Sequence, residues 1–232
     1  MPTQPLDAQE FLHVALPAIR TGDADQLAAA VTSRWRPKEL CPLLAHPEAD
    51  VRRVVAITLG LVGDRPVVAC LAHALHDPDE QVNHMAEHGL WSIWFRLGSP
   101  QAAGPFRQGV AQLAQEAYDQ AIASFQDAIA IDPDFAEAHN QCAIAHFFLY
   151  EWEPSILCCQ RTIELMPHHF GAMAGIGHGY TQMGRLDRAL ESYRAALRIN
   201  PRMPAIARMI TRLEERAHSA NGSSGVFIAS QS

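Results

Sequence analysis

The clearest order in the chain lies in how apolar stretches are punctuated by proline. Three endings recur, Ile131-Asp132-Pro133, Leu165-Met166-Pro167 and Ile199-Asn200-Pro201, and successive prolines lie 167 − 133 = 34 and 201 − 167 = 34 residues apart. Within each interval the apolar positions follow a helical spacing, broken once near the middle. The pattern predicts a helix–turn–helix unit repeated at a fixed period, each unit ended by a proline that cannot continue the helix. Small residues recur at Gly109, Ala143 and Gly177 in the first helices and at Ala121 and Ala189 in the second. They let paired helices approach, and an aromatic residue in the second helix (Phe125, Tyr193) fills the gap. The middle unit is degenerate, with Ser155, Cys159 and Thr162 where its neighbours have Ala, an aromatic ring and Ala. Residues 204–217 read as one more amphipathic helix, with Ile206, Met209, Ile210 and Leu213 on one face and Arg208, Arg212 and Arg216 on the other.

The first hundred residues carry a looser repeat. Ala45-His46-Pro47-Glu48-Ala49-Asp50-Val51 returns as His76-Asp77-Pro78-Asp79-Glu80-Gln81-Val82, an offset of 78 − 47 = 31 residues. Each copy places a leucine-bearing helix before the proline turn (Leu40, Leu43, Leu44; Leu71, Leu75) and an acid-capped helix after it, near Asp50 or Asp79. Two further helices are expected over residues 7–34, broken at Thr21-Gly22-Asp23. The helix from Glu80 to Leu97 has an apolar stripe (Val82, Met85, Ala86, Gly89, Leu90, Ile93, Leu97) and aromatic side chains at Trp91, Trp94 and Phe95 on its other faces. That distribution predicts burial on both sides, between the two repeat types, so that the halves stack continuously.

The units of 34 residues, above all Gly177, Tyr180, Gly184, Ala189, Tyr193 and Ala196, resemble the tetratricopeptide repeat family. The earlier repeat is similar to the short HEAT-like repeats also seen in phycobilin lyases. The fold class expected is therefore all-α, a right-handed α-solenoid of stacked helical hairpins, HEAT-like and then tetratricopeptide. Capping helices are expected over 1–36, HEAT-like repeats over 37–98, three tetratricopeptide repeats over 102–203, a capping helix over 204–217 and a disordered tail over 218–232.

Charge sharpens the functional expectation. The net charge of −7 argues against a nucleic-acid partner, and no run of eighteen apolar residues predicts a membrane span. The acidic start of the chain lacks the features of a secretory signal, so a cytoplasmic protein is expected. Residues 101–184 carry nine acids against two arginines, whereas residues 185–232 carry four acids against eight. The five cysteines form no C-x-x-C pair and are expected as small buried free thiols. Cys158 and Cys159 are adjacent, but neighbouring positions on a helix diverge.

Chemistry has one candidate string. His84-Met85-Ala86-Glu87-His88 matches H-x-x-E-H, in which two histidines one turn apart hold zinc and the glutamate serves as base. The arrangement needs a third ligand, and no His-Glu dipeptide of the kind that holds iron in HEAT-like hydroxylases occurs. No nucleophile elbow, phosphate loop or dinucleotide fingerprint is present; Gly175-Ile176-Gly177-His178-Gly179 lies within a helix. No catalytic residue and no cofactor are therefore expected. A metal-dependent enzyme at His84, Glu87 and His88, or a phycobilin-lyase-like protein, stands as the alternative.

The tetratricopeptide resemblance implies that the first helix of each unit lines a concave binding surface. Carried onto this chain, those positions are Phe106, Val110, Leu113 and Ala114; Glu137, Asn140, Ile144, Phe147 and Phe148; and Ala174, His178, Thr181 and Gln182. None is Lys or Arg, so the basic clamp that some family members use for carboxylate tails is missing. The implied role is a non-catalytic adaptor or scaffold, with a protein or peptide partner that offers an apolar segment.

Overall fold

The computed structural model describes residues 6–224, which form helices, turns and connecting segments with no strand among them. The chain divides into two compact units, residues 1–98 and 99–232.

The first unit begins with α1 (Ala8–Thr21) and α2 (Ala24–Thr32). Asp7 caps α1 by accepting from the Gln9 amide at 3.0 Å, and Gly22, with φ 71°, closes it in the left-handed conformation. Asp23 then caps α2 through the Gln26 amide at 2.8 Å. The next segment, Pro37–Ala45, where the sequence predicts a leucine-bearing helix, is a helix of the 3₁₀ form. Pro37 and Pro42 remove amide donors from it, which favours the short tighter form.

Helices α3 (Ala49–Val62), α4 (Val68–Ala74) and α5 (Glu80–Arg96) complete this unit. The recurring acidic turn does its work between repeats. Arg52 of α3 is bidentate to Asp77, at 2.7 and 2.8 Å, and also donates to the His46 and Pro47 carbonyls. Arg53 is bidentate to Asp79, which also accepts from the Val82 amide and so caps α5. That guanidinium holds the Asp79 carboxyl down at about 2. Helices α3 and α5 meet backbone to backbone: a Cβ built on Gly60 would lie 2.7 Å from the Gly89 Cα. On α5, Trp94 is buried while Phe95 is 40% exposed.

Cys41 and Cys70 form a disulfide between the 3₁₀ segment and α4. This corrects the expectation of five free thiols. The spacing of 29 residues is close to the 31-residue repeat, so the cysteines occupy nearly equivalent positions in stacked layers and come within bonding distance.

The second unit holds three hairpins: α6 (Ala103–Ala114) with α7 (Tyr118–Ile131), α8 (Ala136–Phe148) with α9 (Trp152–Leu165), and α10 (Phe170–Gln182) with α11 (Leu186–Ile199). The small-against-aromatic pairing inferred from the sequence is the packing observed. A Cβ on Gly109 would meet the Phe125 ring at 2.6 Å, and one on Gly177 the Tyr193 ring at 2.5 Å. In the degenerate middle hairpin, Ser155 Oγ instead donates to the Ala143 carbonyl at 2.8 Å. Helix α12 lays Ile206 and Leu213 against the Leu190 and Tyr193 cluster, and Arg194 pairs with Glu214 at 2.5 Å. It runs from Pro204 to Ser224, past the expected end at Ala217, so the expected disordered tail is helical in its first part. The rest of the tail, including Val226-Phe227-Ile228, lies outside the described residues. No helix among the described residues is long and apolar enough to cross a membrane.

Candidate functional site

The positions proposed for a concave surface separate into two groups in the second unit. Phe106 is buried, with ring centroids 4.5 Å from Phe135 and 5.9 Å from Phe125. Asn140 is buried as well, its amide donating to Glu137 Oε1 at 3.0 Å. Both are therefore corrected from surface contacts to interior ones. Val110, Leu113, Ile144, Phe147 and His178 are half-buried, while Phe148 (51%) and Gln182 are exposed.

Glu137, which the resemblance also placed on the surface, is fully buried in a polar knot. Its carboxylate receives Asn140 Nδ2, Gln141 Nε2 at 2.6 Å and His169 Nε2 at 2.9 Å. His169 Nδ1 in turn accepts from the Ala172 amide at 3.0 Å, capping α10 and fixing the tautomer that donates to Glu137. A buried carboxylate is tolerable here because three donors satisfy it, and the knot fastens α8 to α10. The sequence showed only one acid and one histidine, 32 residues apart.

What remains accessible is a band of aromatic rings. Tyr118, opening α7, stacks on Phe148 at 5.1 Å with planes 12° apart. Phe148 abuts Phe147, and Phe147 meets Trp152 at 5.0 Å and His178 at 6.2 Å. Tyr150 closes edge-on to Trp152 at 5.5 Å. The band thus joins the start of α7, the end of α8, the turn after it and the start of α9, and reaches the third hairpin only through His178 of α10. Behind it, His178 Nδ1 lies 2.8 Å from the Tyr193 hydroxyl, and burial pushes the His178 pKa down. Tyr118 and Tyr150 were not among the candidates, because both lie outside the first-helix positions.

The turns themselves differ in strain. Three-residue connections join the helices of each hairpin, and each needs a left-handed residue: Glu116 (φ 60°), Tyr150 (φ 63°) and Gly184 (φ 72°). Only the third uses glycine. Tyr150 holds this disfavoured conformation while 77% exposed.

The two histidines of the H-x-x-E-H string do share a face of α5, with Nε2 atoms 3.2 Å apart and both rings exposed. Among the described residues no third His, Cys or carboxylate converges on them; the ligand types that do converge are Cys142, His146 and Cys158. Glu87 is half-buried beside the pair.

Comparisons with known proteins agree with this architecture. Family models for tetratricopeptide repeats match residues 109–148 and 171–203, and a model for HEAT repeats matches 37–124. Protein bimA of Emericella nidulans is 31% identical over 87 residues, 38% of this chain and 11% of that protein. Anaphase-promoting complex subunit 3 of Schizosaccharomyces pombe is 29% identical over 102 residues, 44% of this chain and 15% of that protein. The chain therefore spans only a small part of either relative's length. Among solved structures, the first tetratricopeptide domain of Spaghetti (RPAP3), bound to an HSP90 peptide, aligns with a TM-score of 0.51 at 19% identity, covering 52% of this chain and 97% of that one. The Sgt2 domain from Aspergillus fumigatus also gives 0.51 at 19%, covering 53% and 83%. The chain is an all-helical repeat protein, carrying tetratricopeptide repeats preceded by a HEAT-repeat segment.

Proposed function

We propose that this chain is a non-catalytic protein-interaction module that takes an apolar peptide segment on the aromatic band of its second unit. The observation that carries this reading is the exposure of Phe148 and Tyr150 within a cluster of rings contributed by successive repeats. Exposed aromatic side chains gain on desolvation and lose little conformational entropy on binding, which is why they dominate interface energetics. Relatives of the same fold have been captured with an HSP90 peptide, SRMEEVD, and an HSP70 peptide. Those chaperone tails are acidic, and the surface of this chain does not suit them.

The band is flanked by exposed Glu116, Asp119, Glu151 and Glu153, and Lys or Arg is absent from the first-helix positions that would clamp a carboxylate. Burial and the neighbouring Glu116 raise the Tyr118 pKa, in keeping with a negative local field. The ligand best matched to this surface has aromatic or aliphatic anchors and neutral or basic flanks.

A displayed peptide library selected on the chain should enrich such sequences over acidic C-terminal tails. Phe148→Glu should weaken the selected peptides at least about tenfold, about 1.4 kcal/mol, with helical content unchanged. Enrichment of acidic tails, or equal binding by the Phe148→Glu variant, would reject the reading. Asn140→Ala is unsuitable for this purpose, because it opens the buried knot around Glu137.

A further inference from the structure

The middle hairpin carries a cluster that the binding surface does not use. Cys142 and His146 lie one turn apart on α8, and Cys158 faces them from α9. Counting from Tyr150 at the turn, 150 − 142 and 158 − 150 are both eight residues, so an antiparallel hairpin sets the two thiols level. Both sulfurs and one ring nitrogen of His146 lie within 4.8 Å of one another. Cys142 is buried, and Cys158 and His146 are half-buried, so the group sits between core and solvent.

A fourth residue prepares the histidine. Glu151, at the start of α9, holds His146 Nδ1 at 2.6 Å. Of the two neutral tautomers, that contact selects the one with its proton on Nδ1 and its lone pair on Nε2, the form that ligates metals. A carboxylate behind a ligating histidine is the usual means of orienting the ring and raising its basicity. Cys159, by contrast, is buried and does not belong to the converging group.

We infer that Cys142, His146 and Cys158, with Glu151 behind the imidazole, form a three-ligand site for a thiophilic ion of the zinc class. Two sulfurs and one imidazole nitrogen are the donor set of a zinc site whose fourth position is left to solvent or an added ligand. Around a tetrahedral ion such donors stand roughly 3.5–3.8 Å apart, so contraction by at most about 1 Å through side-chain rotation suffices. Binding replaces the thiol protons and releases one from each cysteine, two per ion, and the ion takes no part in redox chemistry. It would lock α8 to α9 in the one hairpin that lacks the small-against-aromatic packing.

Cobalt(II), a spectroscopic stand-in for zinc, tests the site in the reduced, untagged full chain. The expected result is one equivalent bound, with a thiolate-to-cobalt absorption band in the near ultraviolet that zinc abolishes by displacement. Cys158→Ser and His146→Gln should each remove or shift that band while leaving circular dichroism unchanged. Glu151→Gln should weaken affinity roughly ten- to a hundredfold. Cys159→Ser and His84→Ala should leave binding as it is. No thiolate band in the reduced chain, or a band left unchanged by Cys158→Ser, would overturn the assignment.

Discussion

Tyr150 is the residue whose physical cost most needs a return. A non-glycine residue in the left-handed region is disfavoured by about 1 kcal/mol or more, and Gly184 shows that glycine fills the equivalent turn of the third hairpin. Tyr150→Gly should therefore raise stability by about 1 kcal/mol while weakening selected apolar peptides, because the exposed ring against Trp152 is lost. Urea denaturation and peptide titration on the same preparation check both signs. A variant that loses stability, or that gains it and binds as before, would show that the ring is not held for binding. The left-handed turn was invisible in the sequence, since Leu149-Tyr150-Glu151 contains none of the residues that usually mark such a bend. The Glu137–His169 contact was equally hidden, because it joins residues of separate repeats whose chemistry becomes related only once the hairpins stack.

Helical hairpins were legible because they depend on periodic features. The prolines, the helical spacing and the glycine-against-aromatic pairs are all local or repeat at a constant interval, so the hairpins follow from them. Side-chain exposure did not follow. Phe106 and Asn140 fit the surface register of their helices, yet the neighbouring hairpin covers one and a buried carboxylate claims the other. The packing role of the glycines gives a test at this scale through one substitution at two sites. Gly177→Ala drives a methyl to within 2.5 Å of the Tyr193 ring, which is fully buried and tied through its hydroxyl to His178. It should destabilise by about 1–3 kcal/mol. Gly104→Ala, also in a first helix but with nothing within 4 Å, meets only the restriction that Pro105 places on the residue before it and should change stability by less than about 0.5 kcal/mol. Chemical denaturation distinguishes the two. Equal effects at both sites would mean that helix propensity alone, rather than helix–helix approach, governs these positions.

At the scale of the whole molecule, sulfur chemistry divides the chain. In the first unit Cys41–Cys70 ties the 3₁₀ segment to α4, whereas Cys142, Cys158 and Cys159 in the second unit are free thiols. A disulfide spanning 29 residues restricts the unfolded chain by about 3–4 kcal/mol in the loop-entropy description. A reductant should therefore loosen the first unit and leave the second as it was. An ion bound at Cys142, His146 and Cys158 would act in the opposite sense, tightening α8 and α9 and doing so only while their thiols are reduced. Amide hydrogen exchange, resolved along the full chain with and without reductant and then with zinc, separates these effects. Protection over residues 37–74 should fall on reduction, with residues 136–165 unchanged. Zinc added to the reduced chain should then raise protection over residues 136–165 without restoring it over 37–74. If reduction leaves residues 37–74 as protected as before, the Cys41–Cys70 bond contributes nothing to stability. If zinc restores that segment, the ion is acting in the first unit, and the division of sulfur roles fails.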